Sequence, residues 1–166
     1  MRIIIPLYSL LLLCFGCAGK SERIKKEYLK NKKDFQQMAH AQKFKMYTEV
    51  FINPDSIKET DNELTFQTRL FLTKDQFDNN KNLSTDLKYG VDSAFILINK
   101  NDTIWPSYVM PVANGQSLNP GFIVAFDRSE LRDALQVEFK AAIKSLITGS
   151  DSGIIFNLTK INSLYK

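Results

Sequence analysis

Cysteine is scarce in this chain, and its placement excludes several kinds of chemistry. The 166 residues include two cysteines, Cys14 and Cys17, and residues 18–166 contain none. A domain folded from those residues therefore has no disulfide framework, no cysteine-ligated zinc site and no catalytic thiol. It must rely on its hydrophobic core, and about 150 residues are enough for the core of one domain.

Histidine and glycine are also few. His40 is the only histidine, and a catalytic triad or a histidine-rich metal site needs partners that are absent, so we interpret His40 as a surface or packing residue. The chain contains no glycine-rich phosphate loop, zinc motif, nucleophile elbow or EF-hand loop. We therefore expect no catalytic residue, no cofactor, no bound metal and no small-molecule substrate.

Excess positive charge is missing from most of the chain. The formal net charge is +4, but residues 35–166 contain 14 basic and 15 acidic residues. Residues 20–34 contain seven basic and three acidic residues, so the excess is concentrated there. Because a nucleic-acid-binding domain carries its basic patch on the fold itself, this distribution argues against a nucleic-acid partner.

The first 17 residues have the pattern of an export signal. Arg2 supplies positive charge, and the apolar stretch from Ile3 to Phe15 is shorter than the roughly 17–25 residues of a membrane-spanning helix. Gly16-Cys17 follows and resembles the end of a bacterial lipoprotein signal of the Bacteroidota type. The resemblance implies a signal peptide over residues 1–16 and lipid attachment, such as palmitate, at Cys17.

The same resemblance implies that the protein is located in the cell envelope and is attached to a membrane through its lipid anchor. Ala18-Gly19 lacks the aspartate that holds some lipoproteins at the inner membrane, which favours the outer membrane. Two other interpretations stay open, because Cys14 and Phe15 depart from the usual lipoprotein motif. Ordinary signal peptidase could release a soluble product, or the segment could remain as an uncleaved anchor.

Residues 17–42 are predicted to form a basic tether that is helical from Glu22 to about Gln42. This stretch contains no proline or glycine beyond Gly19, and Ser21 is suited to cap the start of a helix. Its apolar residues recur near one helical face: Ile24, Tyr28, Phe35 and Met38. Basic residues beside a lipid anchor add attraction to an anionic membrane, whereas the alternative is an ordinary solvated linker.

Residues 43–166 are predicted to form a β-sandwich domain. Apolar and polar residues alternate over 44–50 and 64–72, as in half-buried strands. Further strands are expected over 94–98, 103–105, 108–112, 122–126, 135–141 and 154–158, with turns between them. Residues 74–91 are polar and are predicted to form a long loop. Seven or eight short strands separated by turns are typical of a sandwich.

Three stretches of this domain carry a family resemblance. They are Phe95-Ile96-Leu97 with the following Trp105-Pro106, then Leu118-Asn119-Pro120-Gly121, then Val137-Glu138-Phe139. Through them residues 44–160 resemble the immunoglobulin-like, telokin-like domains of bacterial exported lipoproteins. The resemblance implies a mainly β chain, an immunoglobulin-like antiparallel β-sandwich preceded by the signal segment and the helical tether. A fold of this kind does not by itself fix a function.

Three aromatic residues are candidates for a partner-binding surface: Trp105, Tyr108 and Tyr89. Tryptophan and tyrosine are favoured at the energetic centres of protein interfaces. For Trp105 the sequence favours the alternative, in which the side chain fills the sandwich core. Thr103 follows Asp102 at a predicted turn and resembles a short acceptor motif for O-glycosylation in Bacteroidota, so it is a candidate modification site.

The sequence therefore favours a non-catalytic, membrane-anchored lipoprotein that binds a protein partner or supports an envelope assembly, as an accessory of secretion, motility or the envelope. A first alternative is a lipoprotein immunity factor or inhibitor that neutralises a toxin or a hydrolase. A second is an enzyme of unknown type. A toxin gene next to this one would favour the first alternative, and an operon of envelope machinery would favour the accessory role.

Overall fold

The chain folds mainly into β-structure, as the sequence predicts. A computed structural model describes residues 19, 21–40, 44–51, 62–79, 91–113, 115–116, 118–131, 133–142 and 153–164. Within them are two antiparallel sheets, one of five strands and one of four. One continuous core of buried side chains lies between the sheets, so the β-sandwich is confirmed. The signal segment over residues 1–16 lies outside the described residues.

The helices are short apart from the first. They are α1 (21–30), α2 (Lys32–Phe35), α3 (Lys74–Asn79) and α4 (Leu158–Asn162). Single 3₁₀ turns span Val91–Ser93 and Arg128–Leu131. The strands are β1 (Gln36–His40), β2 (Lys45–Val50), β3 (Glu63–Phe71), β4 (Phe95–Asn99), β5 (Asp102–Ile104), β6 (Tyr108–Val112), β7 (Gly121–Asp127), β8 (Gln136–Ala141) and β9 (Ile154–Asn157).

The strand order is that of an immunoglobulin-like sandwich. The five-stranded sheet has the order β1-β2-β3-β7-β6, and the four-stranded sheet has the order β5-β4-β8-β9. Numbered from β2 onward, these strands reproduce the A-B-E-D order of one immunoglobulin sheet and the C′-C-F-G order of the other. Strand β1 is an addition that pairs with β2 at the edge of the first sheet. The connectivity therefore agrees with the fold that the family resemblance implies.

Phenylalanine rings hold the two sheets together. Phe66 on β3 lies 5.0 Å, centroid to centroid, from Phe139 on β8 and from Phe156 on β9. Phe95 on β4 lies 5.1 Å from Phe122 on β7. All five side chains are buried, and the strict alternation over β2 and β3 directs alternate residues inward as predicted.

Four local expectations were wrong. Residues 36–40 are a strand and not part of a helix, because β1 pairs along its whole length with β2. Leu135 precedes β8 and is 75% exposed, although the alternation placed it inward. Leu158 begins α4 and does not end a strand. The predicted loop over 74–91 opens with α3, and residues 80–90 lie outside the described ranges.

The C-terminal part of the basic segment before β1 is packed on the sandwich. Ile24 on α1 is only 2% exposed, and Phe35 on α2 belongs to the hydrophobic core. The ring of Tyr28 stacks on that of Phe35 with centroids 5.4 Å apart. On α2, Asp34 accepts a hydrogen bond of 2.7 Å from Lys160 on α4. Residues 28–35 are therefore a folded part of the domain.

Candidate partner-binding surface

Trp105 lies on the side of the sandwich where β5 and β6 end their sheets, which we call the open side; the 3₁₀ turn Val91–Ser93 contacts β6 there. On the opposite side β1 and β9 approach each other, and the Gln37 Nε2 donates a hydrogen bond of 2.8 Å to the Ile155 carbonyl. Strands β5 and β6 end their respective sheets on the open side. Residues 105–107 connect these two edge strands and so cross from one sheet to the other.

Trp105 points to solvent, so the expectation that it fills the core was wrong. Its side chain is 57% exposed, whereas the preceding Ile104 is buried. Because successive side chains along an extended chain point to opposite faces, an inward Ile104 directs Trp105 outward. Tyr108 and Met110, which share the outer face of β6, are 42% and 50% exposed. We call Trp105, Tyr108 and Met110 the open-edge patch.

Further apolar side chains lie on the outer face of the five-stranded sheet: Phe51 is exposed and Ile123 is half-buried, whereas Ala125 is fully buried. Tyr108 is in register with Ala125 on β7, and Met110 is in register with Ile123. Ala125 pairs in turn with Thr65, whose carbonyl accepts a hydrogen bond of 2.8 Å from the amide of the exposed Phe51. The solvent face of an antiparallel sheet is usually polar, so the exposed Tyr108, Met110 and Phe51 are a departure that suits contact with a partner.

Strand β6 is poorly suited to receive an added strand. Pro111 is the fourth of the five residues of β6 and has no amide hydrogen to donate. A proline within a sheet is accommodated at an edge, where its missing donor faces away from the neighbouring strand, and it discourages further strand pairing. The open-edge patch is therefore arranged to contact a partner through side chains.

The other predicted site residues are placed as follows. Thr103 is exposed on β5, in register with Ile98 of β4, and follows the turn in which Lys100 adopts a φ of 56°. Its hydroxyl is thus on the surface, where an O-glycan is sterically possible. Tyr89 and Cys17 lie outside the described residues. The structure brings Trp105 and Tyr108 to one edge.

A polar cluster couples α1 to the outer face of the five-stranded sheet. The Gln36 Nε2 donates hydrogen bonds to Glu49 Oε2 at 2.8 Å and to Tyr28 Oη at 3.3 Å. Glu49 Oε2 also accepts a hydrogen bond of 2.9 Å from Tyr47 Oη. Burial, together with the Glu49 carboxylate, raises the pKa of Tyr47 well above its usual range, and burial raises the pKa of Tyr28. Both phenols therefore stay protonated at neutral pH and serve as hydrogen-bonding groups.

A second surface lies on the outer face of the four-stranded sheet. It is a groove of about 540 Å³ in which Ile98, Leu135 and Ile155 supply apolar side chains. Lys100, Asp133 and Glu138 also line it, so it mixes both signs of charge. Sequence reasoning did not find this groove, because it depends on the register between β4, β8 and β9.

The described part of the chain contains no group of three or more histidine, cysteine, aspartate or glutamate residues arranged to hold a metal ion. His40 is the last residue of β1 and is exposed. Within the same ranges, no helix has the length and apolar character needed to cross a membrane.

Met110, Phe51 and Ile123 were not among the predicted interface residues. Each follows ordinary strand alternation in the sequence. Only the pairing of β6 with β7 places Ile123 beside Met110, and Phe51 lies on the same face about three strand spacings from Tyr108. Comparisons of this chain with protein-family models, with curated proteins and with solved structures found no match.

Proposed function

We propose that this chain is a non-catalytic lipoprotein of the cell envelope, attached to the outer membrane through Cys17, that binds a protein partner through the open-edge patch. The sequence pattern before Cys17 supports the anchor. The neutral charge of residues 35–166 and the absence of recognisable catalytic motifs from the sequence support a binding role over nucleic-acid recognition or catalysis.

The position of Trp105 is the observation that carries the binding role. It is the only tryptophan in the chain, and it is 57% exposed beside two further exposed residues of the types enriched in interface centres. A buried core position would stabilise the fold more than this position does. The exposed positions of Trp105, Tyr108 and Met110 therefore suit contact with a partner and not stabilisation of the domain.

The anchor is tested by replacing Cys17 with serine. Because acylation requires the cysteine thiol, we expect the Cys17→Ser protein to lose acyl label and to leave the outer-membrane fraction, whereas the wild-type protein carries label and remains there. Cys14→Ser is the matched control and should leave both properties unchanged. Equal membrane retention of wild type and Cys17→Ser, with no acyl label in either, would show that the lipoprotein assignment is wrong.

The partner surface is tested by photo-crosslinking in intact cells. A photoreactive phenylalanine analogue is placed at position 105 or, as the control, at position 135, since Leu135 is more exposed but lies on the other sheet. We expect a discrete protein adduct from position 105 and none from position 135, because only the first lies in the open-edge patch. The adduct should disappear when Tyr108 and Met110 are both changed to serine. Adducts of equal yield from the two positions, or none from position 105, would contradict the proposal.

A further inference from the structure

The exposed face of α1 and α2 combines positive charge with an apolar side chain. Residues 21–35 contain six basic and three acidic residues. All six basic side chains are exposed: Arg23, Lys25, Lys26, Lys30, Lys32 and Lys33. Leu29 is 66% exposed beside Lys30. An exposed leucine among lysines is typical of protein surfaces that meet the headgroup region of a membrane.

Two of the three acidic residues in this segment are already engaged. Glu27 accepts a hydrogen bond of 2.8 Å from Asn31 Nδ2 and lies 3.9 Å from the Lys30 ammonium group. Asp34 binds Lys160 at 2.7 Å. Among the described residues, neither Lys32 nor Lys33 forms an ion pair, so their charges remain available for an external anion.

These side chains surround a groove of about 590 Å³. Leu29, Lys30, Lys32 and Lys33 line it, together with Asp34 and Gln36. We call Leu29, Lys30, Lys32 and Lys33 the basic face. Because Ile24 is buried and Tyr28 stacks on Phe35, the basic face is fixed to the sandwich and does not swing on a free linker.

The basic face is also close to the proposed lipid in sequence. Three residues lie between Cys17 and Ser21, where the described part of α1 resumes after Lys20, and the four residue steps from Cys17 to Ser21 span at most about 14 Å. An acylated Cys17 therefore keeps the start of α1 within roughly this distance of the membrane surface, and when the helix lies along that surface its far end, with the basic face, also reaches it. Screened electrostatic attraction acts over about 8 Å at physiological ionic strength, so contact between the basic face and the headgroups is within reach.

We propose that the basic face docks on the anionic headgroups of the membrane that holds Cys17, and that this contact fixes the orientation of the sandwich. The inference rests on the proposed lipid anchor. The positive face complements anionic lipid, and each lysine strengthens such binding about fivefold. Strand β1, which follows α2, and strand β6 lie at opposite edges of the five-stranded sheet, four strand spacings or about 19 Å apart. Docking of the membrane at the β1 edge leaves the open-edge patch, at the β6 edge, accessible.

The test is lysine footprinting on the full acylated protein, reconstituted into vesicles of phosphatidylcholine alone or of phosphatidylcholine with phosphatidylglycerol. An amine-acetylating reagent is applied, and each lysine is read by mass spectrometry. We expect Lys30, Lys32 and Lys33 to be labelled about fivefold more slowly on the anionic vesicles. The exposed Lys45, Lys74 and Lys100 should be labelled equally on both. High salt should abolish the difference, since the attraction is electrostatic.

A matched pair of variants separates docking from general charge. Lys32→Gln/Lys33→Gln should remove the protection of Lys30, whereas Lys45→Gln/Lys100→Gln, with the same loss of charge, should preserve it. Equal labelling of the basic face on both kinds of vesicle would overturn the proposal. Protection by inorganic phosphate without vesicles would also overturn it, in favour of a soluble phosphate ligand. Failure of the wild-type protein to associate with phosphatidylcholine vesicles at all would instead count against the lipid anchor.

Discussion

Replacing Phe66 with alanine is expected to lower the free energy of unfolding by about 3–5 kcal/mol. Phe66 is fully buried, and its ring contacts Phe139 and Phe156 on the opposite sheet as well as Phe126 on its own sheet. Removing the ring opens a cavity at the point where the sheets meet. The loss is large compared with the roughly 5–15 kcal/mol that stabilises a typical domain. Denaturant unfolding, followed by circular dichroism, measures it.

Two comparisons make the Phe66 result specific. Phe66→Leu preserves most of the volume and should cost less than about 1.5 kcal/mol, so it gives a measurable transition if Phe66→Ala does not fold. Phe51→Ala removes the same side chain from an exposed position and should cost about 1 kcal/mol or less. Similar losses for Phe66→Ala and Phe51→Ala would contradict a core built around Phe66.

Replacing Thr68 with valine is expected to lower the free energy of unfolding by about 1–3 kcal/mol, although valine has nearly the same shape. Thr48 and Thr68 are the two buried polar side chains found in the described part of the chain, and their hydroxyl oxygens lie 2.8 Å apart across β2 and β3. Thr68 donates a hydrogen bond of 3.0 Å to the Tyr47 carbonyl. Thr48 must therefore be the donor in the pair, and without Thr68 its buried hydroxyl loses its acceptor.

Replacing Thr48 with valine should lower the free energy of unfolding less than replacing Thr68 does. In Thr48→Val, the Thr68 hydroxyl retains its bond to the Tyr47 carbonyl, so we expect a loss of about 1 kcal/mol or less. The double variant, with valine at both positions, should be more stable than Thr68→Val alone because no buried hydroxyl is left unpaired. A double-mutant cycle by chemical denaturation measures this coupling. Equal and additive losses from the two single changes would contradict the assigned direction of the hydrogen bond.

Much of the sandwich could be predicted because its central strands alternate cleanly. Met46 and Val50 on β2, and Leu64 and Leu70 on β3, are all buried as the pattern indicates. Residues 36–40 could not be assigned in this way, since Gln-Gln-Met-Ala-His suits a helix by propensity. Pairing with β2 determines their structure, and such pairing depends on a partner distant from the local sequence window.

The candidate surface was only partly predictable for a related reason. Trp105 and Tyr108 were identified by residue type. Hydrophobicity alone does not show whether an aromatic ring in the connection between β5 and β6 faces the core or the solvent. The core already contains seven fully buried phenylalanines, and an inward Ile104 leaves Trp105 outside. Ile123 adjoins the patch only through the register of β6 with β7. The packing of α1 on the sandwich likewise depends on contacts that the charge pattern did not reveal.

The exposed position of Trp105 at the open edge can be measured directly by tryptophan fluorescence. Since it is the only tryptophan, fluorescence of the folded protein reports on this one position. We expect emission typical of a water-exposed indole, and quenching by iodide in the folded protein that approaches its efficiency in the denatured protein. Blue-shifted emission with little quenching by iodide would place Trp105 in the core and would contradict the partner-binding account.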